Sequence, residues 1–157
     1  CLGFTLLELT LVMFFMAIIA GLSTPFVMST LDRMELQTSA RKVASTLRYA
    51  RSEAITSKKP VVFSGNLDRN QFWVTQGYNN EAPKITSLTD PIRLDHFINE
   101  GEDNFFSADE FTVTFFPQGN SSGGLIGMNI NESRSSENYY AISIDPITGK
   151  TKIKQTK

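Results

Sequence analysis

The sequence predicts an α+β chain: one long N-terminal helix, apolar in its first half and amphipathic in its second, packed on a β-rich head. Three observations carry this expectation. No charged residue lies between Glu8 and Asp32. From Leu36 to Ala54, apolar and small residues recur at steps of three and four. After Pro60 the period shortens to brief β-like runs bounded by Gly, Asn, Asp and Pro.

Taken in order, 1–3 precede the helix, 4–25 form a transmembrane-type helix, 26–59 continue it amphipathically, and 60–157 form the head. From Phe4 to Leu22 the chain holds one ionisable residue, Glu8, and at 1.5 Å per residue this run reaches about 28 Å, the thickness of a hydrocarbon core. A carboxylate inside hydrocarbon costs roughly 2.5–3.5 kcal/mol at a helix centre and less near an end, so Glu8 needs a neutralising partner. A cleaved secretory signal would have a shorter apolar core, and Ala17-Ile18-Ile19-Ala20 matches a cutting site only loosely. Gly21 weakens the helix, and Pro25 removes a backbone hydrogen bond, so a kink or local melting is expected there.

Leu36, Ala40, Val43, Leu47, Ala50 and Ala54 fall on one helical face, with Arg41, Lys42, Arg48, Arg51 and Glu53 on others. The helix should run from Phe26 to Thr56 and stop before Pro60. Strands are expected at 61–63, 71–75, 111–116, 125–130, 139–144 and 151–153. Gly65 to Asn70 and Asp145 to Gly149 have turn composition, Asn79–Thr89 and Asn99–Glu110 read as loops, and Gly119–Gly123 reads as a flexible hairpin loop.

With 157 residues there is room for the anchor and one head of about 100 residues. The net charge of −1 conceals a basic helix and an acidic head: Asp32–Lys59 carries seven basic and three acidic residues, and Pro60–Pro146 four and twelve. Such asymmetry would steer neighbouring subunits together, although mixed solvated faces also explain it. The only cysteine, Cys1, excludes an internal disulfide and is expected to belong to a leader remnant.

Gly3 followed by Phe4-Thr5-Leu6-Leu7-Glu8-Leu9 resembles the N-terminus of type IV pilins and pseudopilins. The resemblance implies cleavage by a prepilin peptidase between Gly3 and Phe4 and methylation of the new amino terminus. It extends to a helix proline near the position of Pro25. The Phe4 ammonium would then partner Glu8, four residues along the same helix face, within one chain or between neighbours in a filament. Arg51-Ser52-Glu53-Ala54-Ile55, Trp73-Val74, Phe115-Phe116-Pro117-Gln118-Gly119, Ser121-Ser122-Gly123-Gly124 and Ile144-Asp145-Pro146-Ile147-Thr148-Gly149-Lys150 are similar to the GspH/FimT branch of minor pilins and pseudopilins. That likeness implies a β-rich head of two small sheets.

Other patterns are weaker. Gly119-Asn120-Ser121-Ser122-Gly123 matches a nucleophile elbow, but that motif needs a strand-to-helix turn and a histidine later in the chain. The single histidine, His96, precedes it and reads as a surface or turn residue. Gly149-Lys150-Thr151 lacks the first glycine of a phosphate loop. Asp103, Asn104, Asp109 and Glu110 offer oxygen ligands without EF-hand spacing, so an acidic solvated loop is the favoured reading. No cofactor is expected, and no enzyme. Lys150, Lys152 and Lys154 alternate as on one face of a strand, and such a stripe can meet phosphates. Within the FimT side of the resemblance, a basic motif after the corresponding glycine implies DNA binding, although lysine lacks arginine's bidentate fork. A solvated edge strand protected by lysine is the plainer reading.

The expected function is therefore that of a minor pilin-like subunit of a type II secretion pseudopilus, assembling with other pilin-like subunits and helping secreted protein substrates across. It would begin in the inner membrane with its head in the periplasm. The alternative is a type IV pilus minor pilin that holds DNA through the lysines.

Overall fold

The computed structural model describes residues 5–76, 83–99, 109–130 and 139–155, the side chains of 22–30 excepted. One helix, α1 (Leu6–Ser57), runs without interruption through Pro25, so the melting expected there does not occur. It starts because Thr5 has extended backbone (φ −79°, ψ 150°) and its hydroxyl accepts from the Glu8 backbone N–H at 3.3 Å. It stops at Lys58, which turns left-handed (φ 55°) two residues ahead of Pro60.

The two halves of α1 meet different surroundings. Every residue from 5 to 21 is exposed, including Leu6, Phe14, Phe15 and Ile19. From Leu36 onward the stripe read from the sequence is fully buried, together with Ala44. Four alanines on this face let the helix backbone approach the sheets closely, and the larger Leu36, Val43 and Leu47 fill the gaps between.

Two four-stranded antiparallel sheets form the head. The first has the order β3 (Thr86–Ser87), β2 (Gln71–Gln76), β1 (Val61–Asn66), β5 (Glu110–Phe115). The second has the order β4 (Ile92–Ile98), β6 (Gly124–Ile130), β7 (Tyr139–Ile144), β8 (Thr151–Gln155). Alternate residues of each point into one shared core: Val61, Phe63, Phe72, Val113 and Phe115 from the first sheet, Ile126, Met128, Ile142 and Ile144 from the second. Each large side chain so buried is worth about 1.5–3 kcal/mol. Phe63 stacks on Phe72 at 5.7 Å, and Phe97 stacks on Phe111 at 4.6 Å, joining strands of different sheets.

Three further sequence expectations need correction. Strands β3 and β4 were not anticipated. In β4, Ile92 and Leu94 point inward, but a bulge between Leu94 and His96 breaks the alternation and restores it at Phe97. Second, His96 lies inside β4 rather than on a surface turn, with its side chain only 13% exposed. Third, Gly119–Gly123 is not a hairpin loop. It carries the chain from β5 in one sheet to β6 in the other, and Ser121 within it is buried.

Asn70 closes the sheets against each other. With left-handed backbone (φ 53°) at the end of the β1–β2 turn, it donates to the carbonyl of Ile92 at 2.6 Å and accepts from the Leu94 N–H at 3.0 Å. The turn of the first sheet is thereby fastened to β4.

Candidate functional site

Three regions carry polar or charged groups that the core does not explain. At the start of α1, Glu8 is exposed and stands alone among apolar side chains. Thr5 was not singled out from sequence, yet Thr5-Leu6-Leu7-Glu8 has the spacing of a capping box, which would have marked it. The cap satisfies the Glu8 N–H and holds this residue in the first helical turn, where the positive helix terminus also favours its charge. Gly3 and Phe4, the expected cleavage pair, lie outside the described residues, as do the side chains around Pro25. Among the described residues no helix is long and apolar enough to cross a membrane.

Near the other end of α1, Arg51 ties the head's two long turns together. Its Nε donates to the carbonyls of Gly119 at 3.1 Å and Thr148 at 2.9 Å. Gly149 is left-handed (φ 61°), and a side chain there would collide with the Gly119 carbonyl. Ser121 adds a second link, its N–H donating to Pro146 O at 2.8 Å and its hydroxyl to Asp145 O at 3.1 Å. The hydroxyl of the G-x-S-x-G pattern is thus engaged in joining two turns, between two strands and with no helix following. Asp145 in turn accepts from the Thr148 N–H at 2.7 Å and its hydroxyl at 2.9 Å. Those bonds, with a smaller attraction from Lys152, hold its carboxyl below the ordinary carboxylate pKa.

The lysines occupy the third region. Lys152 and Lys154 project from β8, the last strand of the second sheet, and Lys150 precedes it; all three are exposed. With Ser143, Asp145 and Leu125 they line a shallow groove of about 330 Å³ on the outer side of that sheet. The alternation expected from sequence is real: Thr151 is buried between them and Ile153 half-buried.

His96 belongs to a separate network. Its Nδ1 lies 2.7 Å from Asp95 Oδ2, its Nε2 lies 3.2 Å from the Tyr139 hydroxyl, and its ring stacks on Tyr139. A proton on Nδ1 satisfies both contacts, and Asn129 donates to the other Asp95 oxygen at 3.0 Å. Gly127 makes room, since a Cβ there would meet the imidazole and the Tyr139 hydroxyl. This is a polar plug on a sheet face, in which the buried Asn129 Oδ1 has no hydrogen-bond partner among the described residues. Among the described residues no three potential metal ligands come together; the Asp103 and Asn104 expectation lies outside them.

Comparison with known proteins agrees with this architecture. The chain is 24% identical over 150 residues to type II secretion system protein H of Xanthomonas campestris pv. campestris, covering 96% of this chain and 81% of that protein. Its fold is similar to the minor pseudopilin EpsH of the Vibrio cholerae type II secretion system (TM-score 0.61, 16% identity, 80% of this chain and 96% of that one). It is similar as well to the type IV minor pilin FimU of Pseudomonas aeruginosa (TM-score 0.57, 16% identity, 79% and 91%). The profile described as Type II transport protein GspH matches residues 39–148, from the buried half of α1 to the Asp145–Gly149 turn that Arg51 holds, and the chain belongs to that family.

Proposed function

We propose that the protein is a minor pilin-like structural subunit of a type II secretion pseudopilus. A prepilin peptidase cuts it between Gly3 and Phe4, and the new amino terminus is methylated. The head stays in the periplasm while α1 passes from the inner membrane into the core of a filament that helps export folded proteins. One observation supports this most: a single unbroken helix buries one face in the head, through Leu36, Ala40, Val43, Leu47, Ala50 and Ala54, and leaves its apolar residues from Leu6 to Ile19 exposed. Several apolar side chains at 1.5–3 kcal/mol each make such a surface untenable in water, so membrane or neighbouring helices must cover it. Glu8 then supplies the carboxylate that the Phe4 ammonium neutralises, within the chain or across to a neighbour.

Deleting the gene tests this. Folded substrates should accumulate in the periplasm while pili persist; normal export with lost pili would contradict it. The second reading, a type IV pilus subunit binding DNA through Lys150, Lys152 and Lys154, draws support from their exposure on an edge strand. Asp145 in the same groove and the acidic head weigh against it.

A further inference from the structure

A sheet edge left bare invites pairing with another chain, and among the described strands three of the four edges are guarded. Along β5 the chain folds back on itself: the Ser122 N–H donates to the Thr114 carbonyl at 2.9 Å, and the Thr114 N–H donates to the Ser122 hydroxyl at 3.1 Å. On β4 the Asn70 side chain occupies the Ile92 carbonyl and the Leu94 N–H. Lys152 and Lys154 stand on β8. The fourth edge is different. β3 pairs only with Gln71 and Phe72, so among the described residues 73–76 have no strand beside them on that side. The Leu67 N–H donates to the Asp109 carbonyl at 2.8 Å, which turns the odd-numbered residues of β1 toward β5 and the even-numbered ones toward Gln71, Trp73 and Thr75 of β2. The N–H and C=O groups of Val74 and Gln76 therefore point out over the bare edge. No proline, lysine or register shift protects this stretch. Its side chains at Phe72, Val74 and Gln76 face α1, where the Gln76 amide donates to Glu53 at 2.8 Å. Beside the edge lies a groove of about 500 Å³, lined by Thr46 and Tyr49 of α1, Val74 and Lys84, and Tyr49 is 59% exposed to it and to solvent.

We propose that residues 73–76 pair with an extended strand of a different pilin-like subunit, which adds itself to the first sheet and lays every second side chain into the groove beside Tyr49. The outward N–H and C=O groups of Val74 and Gln76 define the occupant's backbone, since only a strand offers acceptors and donors at that spacing. The groove defines its side chains: apolar ones, at alternate positions, to cover Tyr49 and Val74. The groove runs along α1, and subunits that pack helix to helix set their heads side by side along that axis. A minor subunit has other pilin-like chains as neighbours, so the strand comes from a non-identical partner. The inference rests on the pilin-like reading given above.

The full-length chain in its native membrane, with photoreactive p-benzoylphenylalanine in place of the exposed Lys84, provides the test. Irradiation is expected to give an adduct with one other pilin-like subunit, identified by mass, and the cross-linked peptide should lie in a segment of alternating apolar residues. Val74→Pro removes an outward N–H and spares the bonds between β1 and β2, so it should lower the adduct about fivefold, the worth of one backbone bond. Tyr49→Lys, at an exposed helix position, should lower it at least as far, and it decides the matter if circular dichroism shows that Val74→Pro melts early. An adduct unchanged by Tyr49→Lys and by a folded Val74→Pro chain would overturn strand addition. So would an adduct formed with an exported protein, or only with a second copy of this chain. Absence of any adduct in cells whose export depends on this protein overturns the contact and leaves the pseudopilin reading standing. If export does not depend on the protein, the pseudopilin reading and the inference fail together.

Discussion

Replacing Arg51 with methionine keeps most of the side chain's aliphatic bulk and removes only its donors. One Nε proton serves two carbonyls, Gly119 and Thr148, so the loss counts as one shared, charge-assisted bond rather than two. Such bonds contribute about 1.5–3 kcal/mol. Thr148 is exposed and its carbonyl regains water, while Gly119 is buried and its carbonyl does not, which places the expected cost near the low end, about 1.5–2 kcal/mol. For a head of this size that is a fall in Tm of roughly 6–16 °C. Thermal unfolding of the detergent-solubilised chain, followed through its single tryptophan, Trp73, measures it. Arg51→Lys should recover little, because an ammonium lacks the planar Nε donor. Raising the salt concentration should not change the difference, since both acceptors are neutral. A loss under about 0.5 kcal/mol for Arg51→Met would refute the idea that this residue fastens the two turns.

Further outcomes follow from the same geometry. Gly149→Ala forces a side chain into left-handed backbone and against the Gly119 carbonyl, and should cost about 2 kcal/mol or more in urea unfolding. Leu47→Ala opens a cavity in the fully buried face of α1 and should cost about 3 kcal/mol. Asp145 has a lowered pKa in the folded state, so its contribution is complete above the ordinary carboxylate range and disappears as pH falls through the folded value. Asp145→Asn should therefore flatten the acid limb of a stability-versus-pH curve and leave slopes above neutral pH unchanged. Glu8→Gln should leave Trp73 fluorescence native while reducing incorporation into filaments; wild-type incorporation would remove Glu8 from the assembly argument.

The helix and six of the eight strands among the described residues were legible because their periods are uninterrupted: Leu36 to Ala54 keeps a helical stripe, and Val61, Phe63, Val113 and Phe115 keep strict alternation. β4 was not, because its bulge shifts the inward positions from Ile92 and Leu94 to Phe97 and leaves Arg93, Asp95 and His96 to disguise it. The pairing of Thr86 and Ser87 is too short to leave any pattern. Among site residues, the lysine alternation and lone Glu8 could be read directly. The Arg51 link could not, since it joins residues 68 and 97 positions apart. Nor could the route of Gly119–Gly123 between sheets, whose composition suits a hairpin equally well.

On the proposed function, proteolysis turns a helix-anchored precursor into a filament subunit, and intact-mass analysis of the native protein recovered from sheared pseudopili checks this. The expected species begins at Phe4 and carries one methyl group on its amino terminus. Filament-associated protein that still retains Gly3 would contradict the account.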